Sequence, residues 1–150
     1  MLFRSYGFRR AGLEDLLASL RPENSQGEYY LTDLVAALGE RGETVAPVTL
    51  GDPEEMLGVN TRADLARVAA VLNRRVLGEL MSSGVTVLDP GATWVEPGCS
   101  VGPDTILEPG VVVRGGARIG RNVRIGAHSV VDGAAVPDGS SVPPLTVLKS

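Results

Sequence analysis

One histidine (His128), one cysteine (Cys99) and a run of arginines (Arg114, Arg118, Arg121, Arg124) are the side chains of this 150-residue chain most suited to chemistry. An imidazole can act as a general base, a thiolate as a nucleophile, and clustered guanidiniums can hold a phosphate. Each also has a plainer structural reading, set by its place in the chain. His128 lies in Ile125-Gly126-Ala127-His128, at an outward-facing position, and reads as a solvated surface histidine. Cys99 occupies a position that recurs as a small or β-branched residue and reads as a buried small side chain. The arginines are interleaved with Asp and Glu and read as a solvated face rather than a phosphate site.

The elements that must position these residues are marked by a period of six. Val95, Val101, Leu107, Val113, Ile119, Ile125 and Val131 stand six apart. Four residues after each comes Cys99, Thr105, Val111, Ala117, Val123, Ser129 or Ala135. Directly after each comes Glu96, Gly102, Glu108, Arg114, Gly120, Gly126 or Asp132. A hexapeptide repeat of this kind is the sequence form of a parallel β-helix. Each hexapeptide makes one flat face of a triangular coil, with the aliphatic side chain inward. The glycines after the aliphatics are expected to supply positive φ at the corners. After Val131 the phase slips: Val136, Val142 and Leu148 keep the period one residue early, which predicts a one-residue deletion at a corner. Val142-Pro143-Pro144-Leu145 reads as a terminating segment, because proline blunts a strand edge.

Composition narrows the partners. Hydrophobic residues make up 43% and aromatics only 4%, as a core of stacked Val, Ile, Leu and Ala requires. A net charge of −4 argues against nucleic acid as a partner. A lone cysteine allows no intrachain disulfide, so the expected location is the cytoplasm. No apolar run is long enough to span a membrane, and no signal-peptide pattern is present.

The first part of the chain lacks the repeat. Leu13, Leu16, Leu17 and Leu20 have helical spacing that ends before Pro22. Thr32 or Asp33 starts a second helix carrying Leu34, Val35 and Leu38, ending at Gly39 or Gly42. Val45 to Leu50 reads as a short strand, with Pro47 placing it at an edge, and Asp52-Pro53-Glu54-Glu55 as a turn. Thr61 and Asp64 predict a capping box. The helix that follows is expected to bury Leu65, Val68, Leu72, Val76 and Leu80 and to stop near Ser83, with Gly84 as its cap. Val85 to Leu88 reads as a strand and Asp89-Pro90 as a hinge. The expected layout is an α/β piece over residues 1–60, a connecting helix and strand over 61–88, and a β-helix of about three coils over 89–150.

Two motifs and their order carry a family resemblance. Asn24-Ser25-Gln26-Gly27-Glu28-Tyr29-Tyr30-Leu31-Thr32-Asp33 is one; Leu57-Gly58-Val59-Asn60-Thr61-Arg62, followed by a long helix and Gly84-Val85-Thr86-Val87-Leu88-Asp89-Pro90, is the other. Before hexapeptide repeats, they closely resemble the bifunctional N-acetylglucosamine-1-phosphate uridylyltransferase/glucosamine-1-phosphate acetyltransferase family, from about Tyr6 to about Val136. The resemblance implies the end of a Rossmann-like nucleotidyltransferase domain, linked by the long helix to a left-handed β-helix, with the chain lying across that junction. It implies a cell-wall precursor role: UDP-N-acetylglucosamine made from UTP and N-acetylglucosamine 1-phosphate. It also implies a homotrimer, and Mg²⁺ and substrate binding at Asn60, the asparagine of the Gly-Val-Asn motif.

Departures from the family pattern limit what this chain does alone. Tyr6-Gly7-Phe8-Arg9-Arg10 has no phosphate-loop spacing, and Met1-Leu2-Phe3-Arg4-Ser5 does not match the strand that relatives carry there. A lone amide oxygen is a poor Mg²⁺ site, and Asn before a helix is common in any case. Glu28, Tyr29 and Tyr30 line a sugar site or serve packing; the residues leave both open. The acetyl-CoA site and catalytic histidine belong to later coils in the family, so an acetyl-CoA site is expected to be absent. Three readings follow: a piece or shortened relative of the sugar-nucleotide enzyme, inactive alone; a non-enzymatic trimeric assembly module; and a small hexapeptide acyltransferase with His128 as its base.

Overall fold

The computed structural model describes residues 6–22 and 25–150, and the chain divides into two compact units between Leu57 and Gly58. Met1 to Ser5 and Asn24 of the first motif lie outside the described residues.

The second unit is a parallel β-helix built from eleven short strands. They are β1 (Thr86–Val87), β2 (Trp94–Val95), β3 (Ser100–Val101), β4 (Ile106–Leu107), β5 (Val112–Arg114), β6 (Arg118–Ile119), β7 (Arg124–Ile125), β8 (Val130–Asp132), β9 (Ala135–Val136), β10 (Ser141–Val142) and β11 (Val147–Lys149). Every third strand stacks on the last, giving three sheets: β1-β4-β7-β10, β2-β5-β8-β11 and β3-β6-β9. These are the three faces of a prism. All pairings are parallel. A hexapeptide fixes this arrangement because three of them close one coil: Ser100 pairs with Arg118, eighteen residues on. From β6 to β9 the step is seventeen, Arg118 to Ala135, which locates the expected deletion at the corner holding Gly133. Because of that slip, Ala134 rather than Ala135 packs against the core. β1, which the sequence places with the connector, pairs with β4 and is the first strand of the stack.

All seven aliphatic positions of the repeat are buried, as are Val136 and Val142, while Leu148 is half-buried. The core is one column of stacked side chains, and each buried Val, Leu or Ile contributes roughly 1.5–3 kcal/mol. Two residues at the fourth position stitch coils together. Buried Thr105 donates its hydroxyl to Gly120 O at 2.8 Å and accepts from Val123 N–H at 3.1 Å. Ser129, ahead of β8 on another face, does the same with Pro143 O and Thr146 N–H.

The glycines after the aliphatics have a different reason from the one expected. Gly102 and Gly120 do not have positive φ. A Cβ at Gly102 would fall 2.6 Å from the Arg121 nitrogen, and one at Gly120 would fall 2.7 Å from the Asp138 nitrogen. Close approach of the next coil, not backbone freedom, selects glycine there. Positive φ falls instead at the third residue after the aliphatic, where Asp104, Asn122, His128 and Leu145 adopt it as well as Gly98 and Gly110. Asp and Asn tolerate this region; Leu145 is strained by about 1 kcal/mol or more. Pro143-Pro144-Leu145 does not terminate the stack: it forms a corner, held by Leu145 N–H to Ala127 O, and β11 follows.

Helix α3 (Arg62–Ser82) packs on the first coil. Its capping box is complete, and Ser83 and Gly84 (φ 96°) end it where expected. The buried stripe differs from expectation. Val71 and Leu77 are buried and Val76 and Leu80 pack on the core, but Leu65 and Leu72 are exposed. The stripe is rotated because Asn73 faces the first coil.

The first unit holds helices α1 (Leu13–Ala18) and α2 (Asp33–Glu40), which pack through buried Leu16 and Leu34, and a 3-10 turn at Pro53–Met56 capped by Asp52. Among its described residues there is no strand, so the α/β character expected over 1–60 is not found in them. Val45 to Leu50 has no ladder partner, and Val48 stays 86% exposed. An unpaired strand does not form in isolation.

Candidate functional site

Asn60 is exposed just ahead of α3. Its backbone N–H donates to Asp64 Oδ2 at 3.2 Å, an oxygen that also accepts from Thr61 N–H and the Thr61 hydroxyl, both at 2.9 Å. The Asp64 N–H returns a bond to Thr61 Oγ1 at 3.1 Å. The Thr61 hydroxyl, then the N–H groups of Thr61 and Asn60, hold the Asp64 carboxyl below its ordinary value. The carboxylate nearest Asn60 in the chain is therefore committed to starting a helix. Mg²⁺ is usually held through one or two carboxylates, and among the described residues no three His, Cys, Asp or Glu side chains converge to hold an ion. These residues do not fit a Mg²⁺ site by themselves, and no chemical step is routed through one.

His128 is an exposed corner residue with φ 57°, its N–H bonded to Pro109 O at 3.0 Å. Its ring lies over Gly110 of the preceding coil, in space a Cβ there would need. A catalytic base needs a group that orients it, and none is hydrogen-bonded to this imidazole among the described residues. Cys99 is half-buried against the core.

The arginine run disperses in three dimensions. Arg114 lies on the β2-β5-β8-β11 face, Arg118 on the β3-β6-β9 face and Arg124 on the β1-β4-β7-β10 face. Arg114 pairs with Asp132 at 3.0 Å, Arg124 with Glu108 at 2.6 Å, and Arg121 with Asp138 at 3.7 Å, each bridging successive coils. Glu108 also accepts the Ala127 N–H at 2.9 Å; that bond first, and Arg124 second, hold its carboxyl below the ordinary value. Residues adjacent in sequence thus point around the prism and make no single anion site.

Two residues that sequence reasoning passed over shape the surface most. Asn73 of α3 donates from Nδ2 to Thr93 O at 2.9 Å and accepts the Val95 N–H at Oδ1, 3.0 Å. Its amide thus stands where a neighbouring strand's peptide would stand, and closes the open edge of β2. A polar residue inside an apolar helical stripe was the available signal. Trp94, 38% exposed, heads an outward row on β2-β5-β8-β11. Beside it a cavity of about 380 Å³ opens between α3 and the first coil, lined by Asn73, Leu77, Met81, Thr93 and Trp94 among others. This arrangement offers surfaces for packing; among the described residues no nucleophile, base and orienting group come together.

The fold and its repeats define the class: a hexapeptide-repeat β-helix. The family model for the bacterial transferase hexapeptide (six repeats) matches residues 94–133, and such repeats with this parallel stacking are those of the left-handed β-helix. The chain is similar in sequence to the bifunctional GlmU proteins. It is 51% identical to that of Pelotomaculum thermopropionicum over 104 residues, covering 69% of this chain and 23% of the relative. It is 44% identical to that of Pelobacter propionicus over 97 residues (65% and 21%), and 41% identical to that of Desulfitobacterium hafniense DCB-2 over 105 residues (70% and 23%). The chain matches less than a quarter of the length of these relatives. A match of 104 residues within 150 cannot miss the centre of the chain, so it takes in α3 as well as repeats.

Proposed function

We propose that this chain is the junction and assembly part of a GlmU-type sugar-nucleotide enzyme, working in the cytoplasm in the supply of UDP-N-acetylglucosamine from UTP and N-acetylglucosamine 1-phosphate. In this reading residues 1–60 correspond to the end of the Rossmann-like nucleotidyltransferase domain, α3 to the link, and the β-helix to the part that gathers three copies. The carrying observation is that the likeness to GlmU proteins, at 104 residues of this chain, extends beyond the repeats to α3. A Mg²⁺-binding role for Asn60 then requires carboxylates contributed from outside the described residues. Acetyl-CoA is not a ligand of these coils, and His128 is not a base.

The purified chain, given UTP, Mg²⁺ and N-acetylglucosamine 1-phosphate, is expected to release no pyrophosphate above background. Given acetyl-CoA and glucosamine 1-phosphate, it is expected to release no free coenzyme A. Turnover in either assay, lost in Asn60→Ala or His128→Ala respectively, would replace this reading with an enzymatic one.

A further inference from the structure

Each strand of the prism offers N–H groups to the strand stacked after it. One donor is the residue directly after the inward aliphatic: Leu88, Glu96 and Gly102 donate to the carbonyls of Leu107, Val113 and Ile119. Gly120 and Gly126 donate in the same way to Val136 and Val142. The last strands of the three sheets are β9, β10 and β11. There the same position holds Pro137, Pro143 and Lys149, all exposed. Two of the three sheets therefore end without this donor. No earlier strand carries proline there; Pro97, Pro103, Pro109 and Pro144 stand one residue further on, in the turns.

The same position is where successive strands come closest. A Cβ at Gly102 would lie 2.6 Å from the Arg121 nitrogen, and one at Gly126 would overlap Pro144. Pro137 pairs with Gly120 and Pro143 with Gly126. In each proline the ring Cδ takes the place of the N–H hydrogen, so it points where a further strand would lie. The hydroxyls change direction at the same place. Thr105 and Ser129 reach forward to Gly120 O and Pro143 O. Ser140 and Thr146, at the same repeat position, bond back to Pro137 O at 2.6 Å and Pro143 O at 2.7 Å.

We infer that the end of the prism at β9, β10 and β11 is a built-in stop, which keeps a second copy from pairing with it end-on. The last strands themselves lose nothing, because the missing donors point away from the chain's own coils. A strand laid on β9 or β10 would leave a carbonyl unpaired and meet a proline ring. An open sheet edge is otherwise a template for pairing with other chains. The opposite end is closed by other means, since Asn73 of α3 supplies β2 with a donor and an acceptor.

Moving the prolines inward tests this on the whole chain. In Gly120→Pro/Gly126→Pro, hydrogen exchange over residues 135–149 is expected to rise to that of an unfolded segment, while Trp94 to Leu107 stay as protected as in the wild type. The converse variant, Pro137→Gly/Pro143→Gly, restores both donors and room. At several hundred micromolar its mass by light scattering is expected to be about twice that of the wild type, as two identical ends pair about a two-fold axis. Exchange at Ala135 and Ser141 is expected to slow in it, with the far-ultraviolet circular dichroism unchanged. Pro144→Gly, one residue outside the position, is expected to keep the wild-type mass. Unaltered protection of residues 135–149 in the first variant overturns the inference. So does a second variant with wild-type mass and exchange, or a doubling of mass in Pro144→Gly.

Discussion

The two units of this chain solve the same problem with unequal means. From Gly58 onward the stacked coils bury their aliphatics against one another, and every strand has a ladder partner, with β4, β5, β6, β7 and β8 paired on both sides. Before Leu57 the described residues bury one leucine from each of two short helices, and leave Val45, Val48 and Leu50 exposed. A repeat supplies its own neighbours, so a six-residue pattern suffices to specify a core. A segment without a repeat must find partners elsewhere, and its helices are too short to be stable alone.

That contrast can be broken most forcefully in the column of stacked aliphatics. Leu107→Ala is expected to lower the stability of the β-helix by about 3 kcal/mol through the cavity it leaves, read by chemical denaturation. If the loss is as small as that from Leu16→Ala in the first unit, the two units are not as different as described. Asn73→Ala strips β2 of its surrogate partner and leaves the Val95 N–H and Thr93 carbonyl unpaired. It is expected to cost about 2 kcal/mol and to raise hydrogen exchange at Val95 selectively. Uniform exchange would mean that the helix cap is not what closes the stack.

The smallest effect expected is electrostatic. The Glu108 carboxyl is held below its ordinary value in the folded chain by the Ala127 N–H and Arg124. Its contribution is therefore fully present above the unfolded value and is lost as pH falls through the lowered folded one. Glu108→Gln is expected to flatten the fall in stability with acid below pH 4.5, the ordinary glutamate value. An unchanged acid limb in thermal melts run across that range would show that the bond is not maintained in solution.

Legibility in the sequence followed the same divide. The period, the slip after Val131, the capping box at Thr61 and Asp64 and the stop at Gly84 were all readable, because each depends on residues close in the chain. The reason for Gly102 and Gly120 was not, since it lies in a coil eighteen residues later. Pro143-Pro144 read as a stop because proline lacks a donor, but a corner requires none there. The rotated stripe of α3 was missed because Leu65 and Leu72 fit a helical period as well as Val71 and Leu77 do. Only contact with the first coil decides between them. The arginine run reads as a solvated face, and the fold bears this out because six residues advance the chain by one face of the prism.

The amide of Asn73 also sets an order of events. During synthesis α3 leaves the ribosome before Trp94 and Val95, and a helix forms within about a microsecond. The first coil is then laid down against a surface that already presents a donor and an acceptor in ladder spacing. Each later coil has the previous one as its template. In the folded chain the helix closes the end of the stack ahead of the first coil, so the coils extend from it in one direction, toward the carboxyl terminus.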